Sequence, residues 1–240
     1  MSQIFDLYVA TETLVADAQQ LGVTVEALQD ISVQVSVTLV AQPEAYLQLT
    51  YDVTLPTASL AAQLTWPTWR ADKVGFKDYL WQQTCLECFI AGSLVKSRLN
   101  DSDDLFSTNQ KTAYIEINAS PNGQYALYKF NSYRSPATLP PTPLLQADRQ
   151  TRAFIDWHRP SKRQTASQTS APKLFQYQRC FQVPLSQCYD DACHYGYQPI
   201  IDYLHPCVIL SFGTTLLYFA PKHASPPDFH NRQYWTPFVA

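Results

Sequence analysis

Residues 114–123 read YIEINASPNG, and the way this stretch alternates decides the fold class. Tyr114, Glu116, Asn118 and Ser120 fall on one face of an extended chain, and Ile115 and Ile117 fall on the other, the period of two expected of a half-buried strand. Proline, asparagine and glycine then end the strand, and QYALYKF over 124–130 starts a second one, so the segment predicts a β-hairpin. Working outward, ISVQVSVTLV over 31–40 and AYLQLTYDVTL over 45–55 alternate in the same way and predict a second hairpin. TCLECFIAG over 84–92 reads as a buried strand, as do LFQYQRCFQVPL over 174–185, RAFIDW over 152–157 and one or two strands within VILSFGTTLLYFAP over 208–221. Helical signals are few. VTVEALQD over 23–30 predicts a short helix, and residues 4–28 are otherwise apolar without a period.

Composition agrees with this reading. Of 240 residues, 13% are aromatic, 46% are hydrophobic and 17 are proline against 6 glycines, which favours strands and irregular loops. SPATLPPTPLLQ over 135–146 holds four prolines and is excluded from any central strand. Polar stretches at 92–111 and 158–173 read as loop insertions between strands, and residues 1–30 as an atypical N-terminal extension. With no internal repeat and no composition break, the chain is expected to be one all-β domain, a single β-sandwich with long loops and few short helices.

Charge narrows the partners. Residues 1–128 carry 6 basic and 14 acidic side chains, and residues 129–240 carry 11 and 6. Neither half has a long like-charged block, and the pI is about 5.9. Nucleic acid is therefore not an expected partner. No apolar run reaches the length of about 18 residues that a spanning helix needs, so no membrane contact is expected. The first twenty residues lack a basic n-region and carry Asp6 and Glu12, which argues against a secretory leader and for the cytoplasm. In that setting the six cysteines are expected to be reduced.

LWQQTCLECF over 80–89, YIEINASPNGQYALYKFNSYR over 114–134 and PDFH over 227–230 together resemble the bacterial DOMON-like family. That family is related to the family-9 carbohydrate-binding modules and to cytochrome-type DOMON domains. The resemblance covers most of the chain from Trp81 onward and implies a β-sandwich with a ligand on a concave face or edge. The ligands of the related modules are sugars or haem.

Glu87 and Glu116 lie on strands among apolar neighbours, where a carboxylate is costly unless it is hydrogen-bonded or lines a wet cleft. A saccharide site places such carboxylates beside aromatic rings. The expected ligand-binding set is Trp81, Glu87, Tyr114, Glu116, Asn118, Tyr128 and Arg134, with Trp81 or Tyr128 as the stacking platform. The competing structural reading is an ion pair between Glu116 and Arg134 that fixes register, in a module that binds no small molecule. Two glutamates flanking a bond could also serve a glycan hydrolase. Trp66, Trp69 and Trp235 read first as core. A Met–His haem site is excluded, since Met1 is the one methionine, which leaves a bis-histidine site drawn from His158, His194, His205, His223 and His230, with His223 and His230 the better pair. Cys85 and Cys88 sit three apart on a strand and point to opposite faces, so they do not form a zinc knuckle, and Cys188, Cys193, His194, His205 and Cys207 match no zinc spacing. No metal site is expected.

Overall fold

The computed structural model describes residues 1–41, 44–96, 113–158, 175–188 and 197–238. Alternating apolar residues build the sheet. Its strands are β1 (Ser2–Val9), β2 (Ser32–Val40), β3 (Tyr46–Leu55), β4 (Gly75–Phe76), β5 (Cys85–Lys96), β6 (Tyr114–Ala119), β7 (Gln124–Phe130), β8 (Asp156–Trp157), β9 (Phe175–Pro184), β10 (Tyr197–Phe212), β11 (Thr215–Ala220) and β12 (Thr236–Pro237). Three short α-helices, α1 (Leu14–Leu21), α2 (Val25–Gln29) and α3 (Ala58–Gln63), and single 3-10 turns at Ala71–Lys73, Leu80–Gln82, Leu185–Gln187 and Arg232–Tyr234 complete the regular structure among the described residues. Thr24 and Thr57 start α2 and α3 by accepting hydrogen bonds from the amides of Ala27 and Leu60, each at 3.2 Å. No helix among the described residues is long and apolar enough to cross a membrane.

The strands join in the order β4-β7-β6-β5-β10-β11-β1-β2-β3-β9-β8, with β12 also on β10. This is one large curled sheet. β1 pairs with β2 over six residues but with β11 only at Tyr8–Ala220 and Val9–Phe219. The two arms are thus joined by a narrow seam and share one apolar core. Leu86, Cys88, Ile90 and Ile117 of one arm belong to the same buried cluster as Val35, Val37, Leu49 and Phe181 of the other. Each such side chain contributes about 1.5–3 kcal/mol by leaving water. Tyr51 crosses the core, and its hydroxyl donates to the backbone oxygen of Glu87 at 2.7 Å.

Both expected hairpins form, β2–β3 and β6–β7. Two expectations need correction. β6 is not half-buried, since all six of its residues are buried. The face expected to meet solvent carries Tyr114 and Glu116 beside their strand neighbours Phe89, Tyr128 and Phe130, and with Trp235 of the C-terminal segment these aromatic residues belong to a second buried apolar cluster. The N-terminal segment is also more than an extension, because β1 sits inside the sheet. Its inward residues are Phe5 and Leu7, but Ile4 and Tyr8 point outward at 62% and 64% exposure, which erases the sequence period. β5 continues to Lys96, inside the stretch read as an insertion, whereas RAFIDW yields only the two-residue β8. The remainder of the two polar insertions, 97–111 and 159–173, lies outside the described residues.

The β6–β7 turn closes with the amides of Ser120 and Gly123 donating to Gln124 and Ser120 oxygens at 2.8 and 3.0 Å. Gly123 has φ +111°, and a Cβ there would stand 3.1 Å from Val74 Cγ2 and 3.3 Å from the Arg70 oxygen. Glycine is required on both counts.

Candidate functional site

Register places the two glutamates on one face. Glu87 of β5 lies opposite Asn118 of β6, and Phe89 lies opposite Glu116. Glu87 and Glu116 are therefore diagonal neighbours, with Cα atoms about 7–8 Å apart. Above them opens a cavity of about 370 Å³, with Glu87, Glu116 and Phe89 in its lining together with Trp81, Phe130, Arg134 and the segment from Pro227 to His230. The proline-rich stretch from Pro136 to Pro141 adds a further wall.

The carboxyl groups are unequal. Glu87 is 2% exposed, and its Oε1 has no hydrogen-bond partner among the described residues. Burial, followed by the neighbouring Glu116 charge, pushes its carboxyl well above the usual range. Glu116 is 5% exposed, and its Oε1 accepts from Asn118 Nδ2 at 2.7 Å. Burial raises it to about 7, against the opposing pull of Asn118 and Arg134. At neutral pH, Glu87 is a carboxylic acid able both to donate and to accept, and Glu116 is near its midpoint. The thiols of Cys85 and Cys207 on the adjoining strands are pushed up by burial and remain protonated.

The far wall is held by Asp228. Its carboxylate accepts from Arg134 Nη2 at 2.8 Å, Tyr133 hydroxyl at 2.6 Å and the His230 amide at 3.1 Å. Burial works against its ionisation, but the bonds from Tyr133 and Arg134 prevail and hold it below the usual carboxylate range. These contacts tie the chain leaving β7 to the C-terminal segment. Arg134 adopts φ 48°, and its backbone amide donates to the Tyr114 hydroxyl at 3.0 Å. That hydroxyl also bonds His230 Nδ1 at 2.7 Å, while His230 Nε2 lies 3.7 Å from Glu116 Oε2. Burial and the nearby Arg134 lower His230 to about 4, so this last contact is not an ion pair at neutral pH.

Of the seven residues expected to bind a ligand, Trp81, Glu87, Glu116 and Arg134 line the cavity. Tyr114, Asn118 and Tyr128 do not, and their places in the site are corrected here. Asn118 is fully buried and acts on Glu116 from the strand. Tyr128 is fully buried as well, donates to Asp78 Oδ1 at 2.8 Å and meets Trp81 edge-on, so it braces the platform instead of forming it. Tyr114 stacks on Phe130 at 4.8 Å and acts on the site from behind, through His230 and the Arg134 amide. The structural ion pair between Glu116 and Arg134 is likewise corrected, since the guanidinium is paired to Asp228. Phe89, Asp228, Phe229 and His230 also line the cavity, outside the expected saccharide-binding set; in the sequence PDFH marks the last three, and His230 enters besides only in the bis-histidine haem pair.

Among the remaining candidates, Trp66 packs on Tyr177 and beneath Arg179, Trp69 is half-buried, and Trp235 is core. His158 is exposed. His223 Nε2 bonds the Tyr8 backbone oxygen at 2.7 Å, and His205 is buried and stacked on Trp235. Cys85, Cys88, Cys180, Cys188 and Cys207 are free thiols, while Cys193 and His194 lie outside the described residues. No group of three potential metal ligands is found among the described residues. No family model, no curated protein and no solved structure matches the chain.

Proposed function

We propose that this cavity binds a small, neutral, hydroxyl-bearing molecule, a saccharide or sugar-like compound, and that the curled sheet is a β-sandwich of the DOMON-like kind serving as its scaffold. The observation that carries the reading is the Glu87 carboxyl, buried at the cavity with an oxygen that has no hydrogen-bond partner among the described residues. Such a group costs about 1–3 kcal/mol until something bonds it, and a ligand hydroxyl does so. Trp81 stands in the same lining and is held edge-on by Tyr79 at 5.3 Å and Tyr128 at 6.0 Å, so a ring can stack on a fixed indole. The cavity volume of about 370 Å³ suits a one- or two-ring ligand.

A thermal-shift screen against neutral mono- and oligosaccharides, polyols, sugar phosphates and haem tests the reading. Ligand at 100 times its Kd adds about 2.7 kcal/mol to the folded state. The expected result is an upward shift with a neutral hydroxylated compound, abolished in Trp81→Ala and reduced in Glu87→Gln. A shift given only by haem, or one that survives both substitutions, refutes it.

One observation favours a second reading. Two buried carboxyls on one cavity, with an acid form persisting at neutral pH, is the arrangement that general acid catalysis of glycoside cleavage employs. Turnover of an aryl glycoside that disappears in both Glu87→Gln and Glu116→Gln is the outcome that reading requires. Binding without turnover removes it.

A further inference from the structure

The hydrogen bonds behind His230 favour one of its two neutral tautomers. The Tyr114 hydroxyl oxygen accepts from the Arg134 amide at 3.0 Å. Its own proton then points to its other partner, His230 Nδ1, at 2.7 Å. Donation to Nδ1 gives the phenol proton a partner, and with Nδ1 as acceptor the neutral ring carries its hydrogen on Nε2. Burial keeps the ring neutral, so a single tautomer can be held. Nε2–H is left 3.7 Å from Glu116 Oε2, beyond hydrogen-bond distance, and both residues line the cavity.

We propose that His230 and Glu116 form a hydroxyl subsite, in which Nε2–H donates to, and Glu116 Oε2 accepts from, a single hydroxyl of the bound molecule. The inference rests on the reading of the cavity as a small-ligand site, and it names the group that the site selects. A hydroxyl oxygen about 2.8 Å from each atom closes the gap and satisfies both at once. An ammonium group has three donors and no acceptor, so it leaves Nε2–H unpaired and adds positive charge beside Arg134. A carboxylate has acceptors alone, so it cannot donate to Glu116 Oε2, and it meets the ionised form of Glu116 with like charge. The unpartnered Oε1 of Glu87 provides a bonding point for a second hydroxyl on the same molecule, independent of the first. Tyr114 acts as a positioning residue through its bond to His230 Nδ1, and Arg134 through its amide bond to the Tyr114 hydroxyl.

The test uses the full chain labelled with ¹⁵N and three six-membered-ring probes that differ in their polar group: cis-1,2-cyclohexanediol, cyclohexylammonium and cyclohexanecarboxylate. Two-bond proton–nitrogen spectra at pH 7 report the His230 tautomer, and titrations follow its Nε2 signal together with the Trp81 indole. The expected result is an Nε2–H tautomer, with the diol moving both signals at a concentration about tenfold lower than either charged probe, the factor implied by one polar group left unpaired beneath a bound probe. Tyr114→Phe, which keeps the ring on Phe130, is expected to mix the tautomers and narrow that preference. An Nδ1–H tautomer in the native chain overturns the inference. Equal response to diol and ammonium, or a diol that moves Trp81 but not His230, overturns the inference while leaving the small-ligand reading intact. If none of the three probes moves either signal, both fall.

Discussion

Replacing Glu116 with glutamine isolates the cost of holding a carboxyl at the floor of the cavity. Glutamine has nearly the same shape and keeps an oxygen for Asn118 Nδ2, but it cannot ionise. In the folded protein Glu116 is raised from 4.5 to about 7. Below pH 4.5 both folded and unfolded chains hold the proton, and the residue contributes its full stability. Between 4.5 and 7 the unfolded chain releases the proton while the folded chain retains it, so stability falls as pH rises. Above 7 the loss is complete, and the shift corresponds to about 3 kcal/mol. Relief of Glu87, whose carboxyl is also pushed up by the Glu116 charge, acts in the same direction. Urea unfolding followed by circular dichroism at pH 4.5 and pH 8 measures the difference. Glu116→Gln should match the native chain at pH 4.5 and exceed it by about 3 kcal/mol at pH 8. A variant that loses ground as pH rises would refute the reasoning, since it would mean that Glu116 is ionised in the fold and paired with a charged His230.

Other substitutions probe the frame around the site. His205 is lowered to about 3 by burial and then by His223, so its contribution is present above pH 6.5 and is lost as pH falls; His205→Phe should be about 2 kcal/mol more favourable at pH 5 than at pH 8 by urea unfolding, and no pH dependence would contradict the burial argument. Tyr51→Phe keeps the ring stacked on Phe181 but removes the bond to the Glu87 backbone, and should cost about 1 kcal/mol in the same assay. Gly123→Ala places a Cβ against Val74 and Arg70 at positive φ and should cost about 1–3 kcal/mol; a neutral result would show that the turn relaxes freely.

The strands with one polar side were the legible part of the fold. β2, β3, β6 and β7 alternate, and the sequence marks their hairpins with turn residues. β1 was not legible, because its outward positions hold Ile4 and Tyr8, and a strand that is apolar on both sides has no period. The floor of the site could be read from Glu87 and Glu116, since a carboxylate on a buried strand is costly wherever it occurs. Their partners could not. Arg134 belongs with Asp228, 94 residues away, and that pairing depends on how the C-terminal segment returns over the sheet. Tyr114 and Tyr128 look like binding residues in sequence because a tyrosine on a polar face has a free hydroxyl. Here each hydroxyl is spent inside the protein, on His230 and Asp78.

The most direct test of the binding site is a crystal structure of the protein with a neutral saccharide or polyol that raises its melting temperature. The expected density lies in the cavity, with a ring against Trp81 and a ligand hydroxyl within hydrogen-bond distance of Glu87 Oε1. Density bound elsewhere, or a Glu87 carboxyl already satisfied by ordered water with the cavity closed above it, would contradict the assignment of this cavity as the binding site.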